Sequence, residues 1–112
     1  MTTGLLPDEH VVKEGAANLQ RGLETVGGRL FLTNQRLVFE SHRFNIQAGA
    51  TVIALADLRG ARKSWTKFLG LIPLAPNAMT VATADGRHHC FTIWGRAAWI
   101  AELDRLTPGR AA

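Results

Sequence analysis

His88-His89-Cys90 is the densest run of side chains that could ligate a metal or attack a carbonyl. Successive residues of a strand point to opposite faces, so at most His88 and Cys90 converge, two ligands short of a closed tetrahedral site. His10 and His42 lie far away in the sequence. The expectation is therefore no metal and no cofactor, with one histidine outward and its neighbour partly buried. A cysteine in a strand is ordinarily packed and unreactive, which is the reading for Cys90. The serines, Ser41 and Ser64, belong to no nucleophile motif, and no phosphate loop, dinucleotide fingerprint or metalloprotease pattern occurs. Asp57 and Asp85 read as corner and turn residues. No catalytic residue is assigned, and the chain is expected not to be an enzyme.

The remaining candidate for recognition is the segment from Gly60 to Ala75. It joins the cations Arg62, Lys63 and Lys67 to an interfacial aromatic, Trp65, and to the apolar residues Phe68, Leu69, Leu71 and Ile72, around a hinge at Gly70. Cations beside exposed apolar groups suit a membrane surface, where electrostatic attraction and insertion add. The competing reading is packing: the apolar run covers an open sheet edge, or buries itself on a second copy in a homo-oligomer.

Charge points to the same stretch. Residues 1–40 hold four Lys/Arg against five acids, residues 41–79 five against Asp57 alone, and residues 80–112 four against three. The middle third thus carries the whole net charge of +4. Such a field favours anionic partners, although the same pattern also arises from ordinary solvated charge on strand faces. An isoelectric point near 10.2 would suit nucleic acid. With no tyrosine, however, stacking platforms are scarce, and no nucleic-acid partner is expected.

The elements that must position these residues are mostly strands. Val11–Gln20 reads as a strand bent at Gly15-Ala16-Ala17, and residues 21–28 as a loop. Arg29–Thr33 and Arg36–Ser41 pair around Thr33-Asn34-Gln35, with Asn34 able to take a positive φ. A loop over 42–50 leads to Thr51–Leu55, with Ile53 and Leu55 inward. A corner near Asp57 precedes a strand at Leu58–Trp65, and a long loop spans 66–77. Ala78–Ala84 and Arg87–Trp94 form a hairpin around Asp85-Gly86, a type I′ signal. Arg96–Leu106 places Trp99, Ile100, Leu103 and Leu106 in one helical stripe, stopped by Thr107-Pro108. Trp94 and Trp99 are both read as packing residues, and Arg96 as a brace at the helix start. About seven strands and one C-terminal helix make a mainly β, α+β chain: a bent antiparallel sandwich or barrel with the helix plugging one end.

With 112 residues and 46% apolar content, the chain reads as one domain, its core about residues 7–106, with a frayed tail. The lone Cys90 fits a reducing compartment, the N-terminal residues lack a secretory pattern, and no apolar run approaches the ~20 residues of a spanning helix.

Gly28-Arg-Leu-Phe-Leu-Thr-Asn-Gln-Arg-Leu-Val-Phe39 and Gly95-Arg-Ala-Ala-Trp-Ile100 resemble two patterns of the GRAM family, with fitting spacing between them. The resemblance covers roughly Pro7 to Leu106. It implies a pleckstrin-homology-like fold, a structural role for Gly95 and Trp99, and a non-enzymatic intracellular module that contacts membranes or phosphoinositides. The expected site is then Arg62, Lys63, Trp65, Lys67, Phe68, Leu69, Leu71 and Ile72, binding anionic lipid at the cytoplasmic face of a membrane. The alternative is a protein-interaction or self-association module using a sheet edge or the 66–77 loop.

Overall fold

The computed structural model describes residues 1–42, 50–68 and 72–108, with only the backbone described at 68, 72 and 73. Seven strands follow one another: β1 (Val11–Arg21), β2 (Glu24–Thr33), β3 (Arg36–Ser41), β4 (Thr51–Ala54), β5 (Leu58–Phe68), β6 (Ile72–Thr83) and β7 (His88–Ile93). The helix α1 (Arg96–Leu106) closes the fold. The strands form one antiparallel sheet in the order β4-β3-β2-β1-β7-β6-β5.

The sheet curls. Phe39 on β3 and Phe91 on β7 stand three strands apart in sheet order, yet their ring centroids are 5.9 Å apart. A flat sheet with ~4.8 Å between strands would hold them about 14 Å apart. Residues from both edge strands, Ile53 and Leu58, join the same buried cluster as Leu30, Leu32, Leu37, Met79, Val81 and Ile93. The result is a half-barrel, and α1 plugs it with Trp99 and Leu103, 2% and 0% exposed. The helix runs over Arg96–Leu106 as its stripe predicts, and Arg96 braces it by donating from Nη1 to the carbonyls of Ser64 and Ala78 at 2.8 and 3.2 Å.

The opposite face of β2 and β3 is also covered. Phe31 and Val38, a register pair, are buried outside the main cluster. Arg36, Val38 and Glu40 share that outward face by the period of two. Glu40 accepts hydrogen bonds from the backbone N–H groups of Thr2 and Thr3 at 3.0 and 2.6 Å, while Arg36 Nη2 donates to the Gly4 carbonyl at 2.6 Å. The N-terminal segment therefore runs along Val38 as a strap.

Several expectations are corrected. Residues 24–28 belong to β2, not to a loop: the turn is tighter, with Gly22 at φ 59°. A Cβ on Gly28 would lie 2.3 Å from the Glu40 carbonyl oxygen, so the glycine serves a close approach of β3. Asn34 has no positive φ; instead its side chain accepts from the His10 N–H and donates to the Asp8 carbonyl, at 2.9 and 3.0 Å. Leu55 is buried as expected but stands in a 3-10 turn, Leu55–Asp57.

The expected 66–77 loop is largely strand, because β5 runs to Phe68 and β6 begins at Ile72. Pro73 and Pro76 are tolerated there because β6 meets β7 only from Ala78 onward. At the last hairpin only Gly86 has positive φ, at 82°, which excludes type I′; the Gly86 N–H donates to the Thr83 carbonyl and the Thr83 N–H to that of Arg87. The Thr83–Arg87 bond encloses a three-residue loop, residues 84–86, with glycine in the left-handed position. The 42–50 loop lies almost wholly outside the described residues.

Candidate functional site

β5 is an edge strand, and the strand it pairs with in the sheet is β6. Its register slips between Ser64 and Thr66, and this bulge bends the strand over the outward face of β6 and β7. Short polar side chains take up the contact. Ser64 Oγ accepts from Thr80 Oγ1 at 2.8 Å and lies 3.8 Å from Cys90 Sγ. Thr66 donates to Asn77 Oδ1 and shares a 2.6 Å hydrogen bond with Thr92 Oγ1.

The bend leaves a groove of about 440 Å³. Ser64, Thr80, His88 and Cys90 make its floor, Gln20 and Gly22 of the β1–β2 turn make one rim, and Arg62, Lys63, Trp65 and Lys67 make the other. Gln20 Nε2 steadies its rim by donating to the Gly22 carbonyl at 2.9 Å. Trp65 is 49% exposed, and the three cations are exposed around it. Among the described residues no carboxylate lines the groove.

The cations of this groove differ from the others in the chain. Arg29, Arg36, Arg87 and Arg105 pair with Glu14, Glu9, Asp85 and Glu102. Arg21 bonds Thr51, Arg59 the Ala56 carbonyl, Arg96 two strand carbonyls, and Lys13 Nζ sits 5.4 Å from the Trp99 ring centroid. Among the described residues, Arg62, Lys63 and Lys67 have no such partner. A hollow of similar size at the β4 end holds Asp57 and Asp85 beside Arg87, so its net charge is negative. Among the described residues, the three cations engaged by neither a carboxylate nor a neutral partner are gathered in the groove. Such a site attracts an anion of phosphate or carboxylate type.

The structure thus brings together four residues predicted from sequence: Arg62, Lys63, Trp65 and Lys67. Phe68 and Ile72 are a register pair closing the β5–β6 hairpin, and Leu69 and Leu71 lie outside the described residues. The floor residues and the Gln20–Gly22 rim went unpredicted, because they reach the groove only through the bulge and the sheet's curl. His88 and Cys90 do share a side, as the strand period requires, while His89 is half-buried on the other. Burial pulls the His89 imidazole below its usual range, so it adds no charge at neutral pH. Among the described residues no three His, Cys, Asp or Glu side chains come together as a metal site.

Trp94 corrects the sequence reading most sharply. Expected to pack, it is 95% exposed. It stands at the rim of a second hollow, about 350 Å³, lined by Ala16, Ala17, Asn18, Gly28, His42, Asn77, Thr92 and Ile93.

Solved PH-like and uncharacterised domains share this architecture. The C-terminal domain of an unknown protein from Leishmania infantum superposes with a TM-score of 0.73 at 20% identity, over 90% of this chain and 86% of that one. The Vps36 N-terminal PH domain gives 0.64 at 16% identity, over 92% and 82%. The Slm1 PH domain, crystallised in complex with phosphoserine, gives 0.59 at 13% identity, over 91% and 97%. At such identities the likeness establishes the fold, a PH-like curled sheet with a C-terminal helix. No curated protein sequence matches the chain. The sequence model described as GRAM domain matches residues 1–92, taking in the Gly28–Phe39 pattern and stopping short of Gly95–Ile100. GRAM domains are in general non-catalytic modules that contact lipid, membrane or protein, and by this match the chain belongs to the GRAM domain family.

Proposed function

We propose that this GRAM domain is a non-enzymatic module that attaches peripherally to anionic membrane surfaces through the groove between β5 and the β1–β2 turn. The observation that carries the reading is the rim itself: Arg62, Lys63 and Lys67, without partners among the described residues, surround a half-exposed Trp65. Each cation near an anionic surface contributes ~1 kcal/mol, so the three supply about a hundredfold of affinity. Trp65 adds an amphipathic ring suited to the headgroup layer. The phosphoserine held by the Slm1 PH domain supports an anionic phosphate ester as the kind of group this fold accommodates. No helix among the described residues is long and apolar enough to cross a membrane. The lone cysteine suits the reducing cytoplasmic side.

A protein-interaction reading draws on two observations: β5 is an edge strand of the sheet, and Leu74 on the neighbouring strand is 60% exposed. Co-sedimentation separates the two. The protein should pellet with phosphatidylserine-containing vesicles and not with pure phosphatidylcholine. Solubility with both, together with a dimer mass in light scattering, would favour the interaction module.

A further inference from the structure

We infer that Trp94 is a second point of contact with the same membrane, so that the side of the domain onto which the groove and Trp94 open lies against the bilayer. This rests on the membrane reading above and adds an orientation to it. His88, Cys90 and Thr92 follow one another at the strand period and share one side of β7, and Trp94, the first turn residue after the strand, lines the same hollow as Thr92. His88 and Cys90 floor the basic groove, while Thr92 and Trp94 line the second hollow. The two hollows are therefore neighbours along β7, about 7 Å from Cys90 to Thr92 at ~3.3 Å per residue. The Thr66–Thr92 hydrogen bond is the saddle between them.

Their chemistry is complementary. The groove rim is cationic, whereas among the described residues no Asp, Glu, Lys or Arg lines the second hollow, whose most exposed apolar group is the Trp94 indole. A bilayer surface offers the same two layers side by side: phosphates and carboxylates for the cations, and the interfacial zone for an indole. The direction of Trp94 is set by the chain. Gly95, at φ 71°, turns the strand into α1, and the carbonyl of Gly95 accepts from the N–H groups of Ala98 and Trp99. One tryptophan is thereby turned into the barrel and the other out of it.

Acyl-brominated phosphatidylcholine mixed with equal parts phosphatidylserine tests this by fluorescence quenching. The wild type, bound to these vesicles, should lose clearly more of its tryptophan emission than W94F bound to the same vesicles. Trp94→Ser should keep the wild-type melting temperature, weaken vesicle binding by about tenfold, and leave the salt dependence unchanged. Equal fractional quenching of bound wild type and W94F would overturn the inference while leaving the membrane reading standing. A wild type that never binds these vesicles would overturn both. Unchanged vesicle binding by Trp94→Ser, with a change in oligomeric mass, would instead identify this face as a contact between copies.

Discussion

Arg36 grips Glu9 with two hydrogen bonds, from Nε to Oε2 at 2.7 Å and from Nη2 to Oε1 at 2.9 Å, and the Glu9 side chain is fully buried. Thr33 Oγ1 and the Leu6 N–H donate to the same carboxylate at 2.6 and 2.8 Å. With the Glu40 contacts, this pair ties the N-terminal strap to β3. The Arg36 hydrogen bond, with help from Thr33 and Leu6, outweighs burial and holds Glu9 at about 2 against an ordinary 4.5.

A depressed carboxyl stabilises the fold above its unfolded value and loses that effect as protons return. Stability should therefore be full above about pH 4.5 and decline as pH falls toward 2, by on the order of 2–3 kcal/mol from this group. Thermal melts of wild type and Glu9→Gln should differ at neutral pH and converge near pH 2. Arg36→Met, which leaves the buried carboxylate without its partner, should cost about 3–5 kcal/mol at neutral pH.

Trp99→Ala should cost about 3–5 kcal/mol, because a large ring leaves a cavity between helix and sheet. Trp99 is 2% exposed, lies under Lys13, and its Cζ2 is 3.6 Å from where a Cβ on Gly15 would stand. A melting temperature equal to that of wild type would contradict this packing.

Gly28→Ala should destabilise by about 1–3 kcal/mol through overpacking, since the added methyl meets the Glu40 carbonyl at 2.3 Å and Ser41 Cα at 2.7 Å. Gly60→Ala is the control, with nothing within 4 Å of its Cβ position. Chemical denaturation of both variants should separate them clearly.

What the sequence made legible was what is local. The α1 stripe and the Leu30/Leu32/Leu37/Phe39 alternation each lie within one stretch of chain, and both elements stand where their spacing puts them. Glycine and proline misled, because their backbone effect depends on neighbours. Gly27-Gly28 looks like a loop until β3 is seen against it, and Pro73 and Pro76 look like breakers until β6 is seen to lack a β7 partner there. The rim of the groove was legible as a cationic run around Trp65. Its floor was not, since Gln20, Thr80 and Cys90 meet only when the sheet curls. Trp94 stands beside a helix whose stripe accounts for Trp99, and nothing local to the sequence distinguishes the ring that turns inward from the one that turns outward.

Removing the rim charge should separate electrostatics from insertion. The combined variant Arg62→Ala, Lys63→Ala and Lys67→Ala should bind anionic vesicles about a hundredfold more weakly at low salt, and lose most of the salt dependence of the wild type, with its melting temperature unchanged.

The most direct test of where the membrane meets this domain is residue-resolved: amide chemical shifts followed by nuclear magnetic resonance as phosphatidylserine-containing bicelles are added. The account predicts that the signals of residues 62–67, 88–90 and 94 move or broaden, that those of Thr51–Ala54 and Arg96–Leu106 hold still, and that neutral bicelles produce neither effect. Perturbation centred on β4 or α1, with residues 62–67 unmoved, would contradict it.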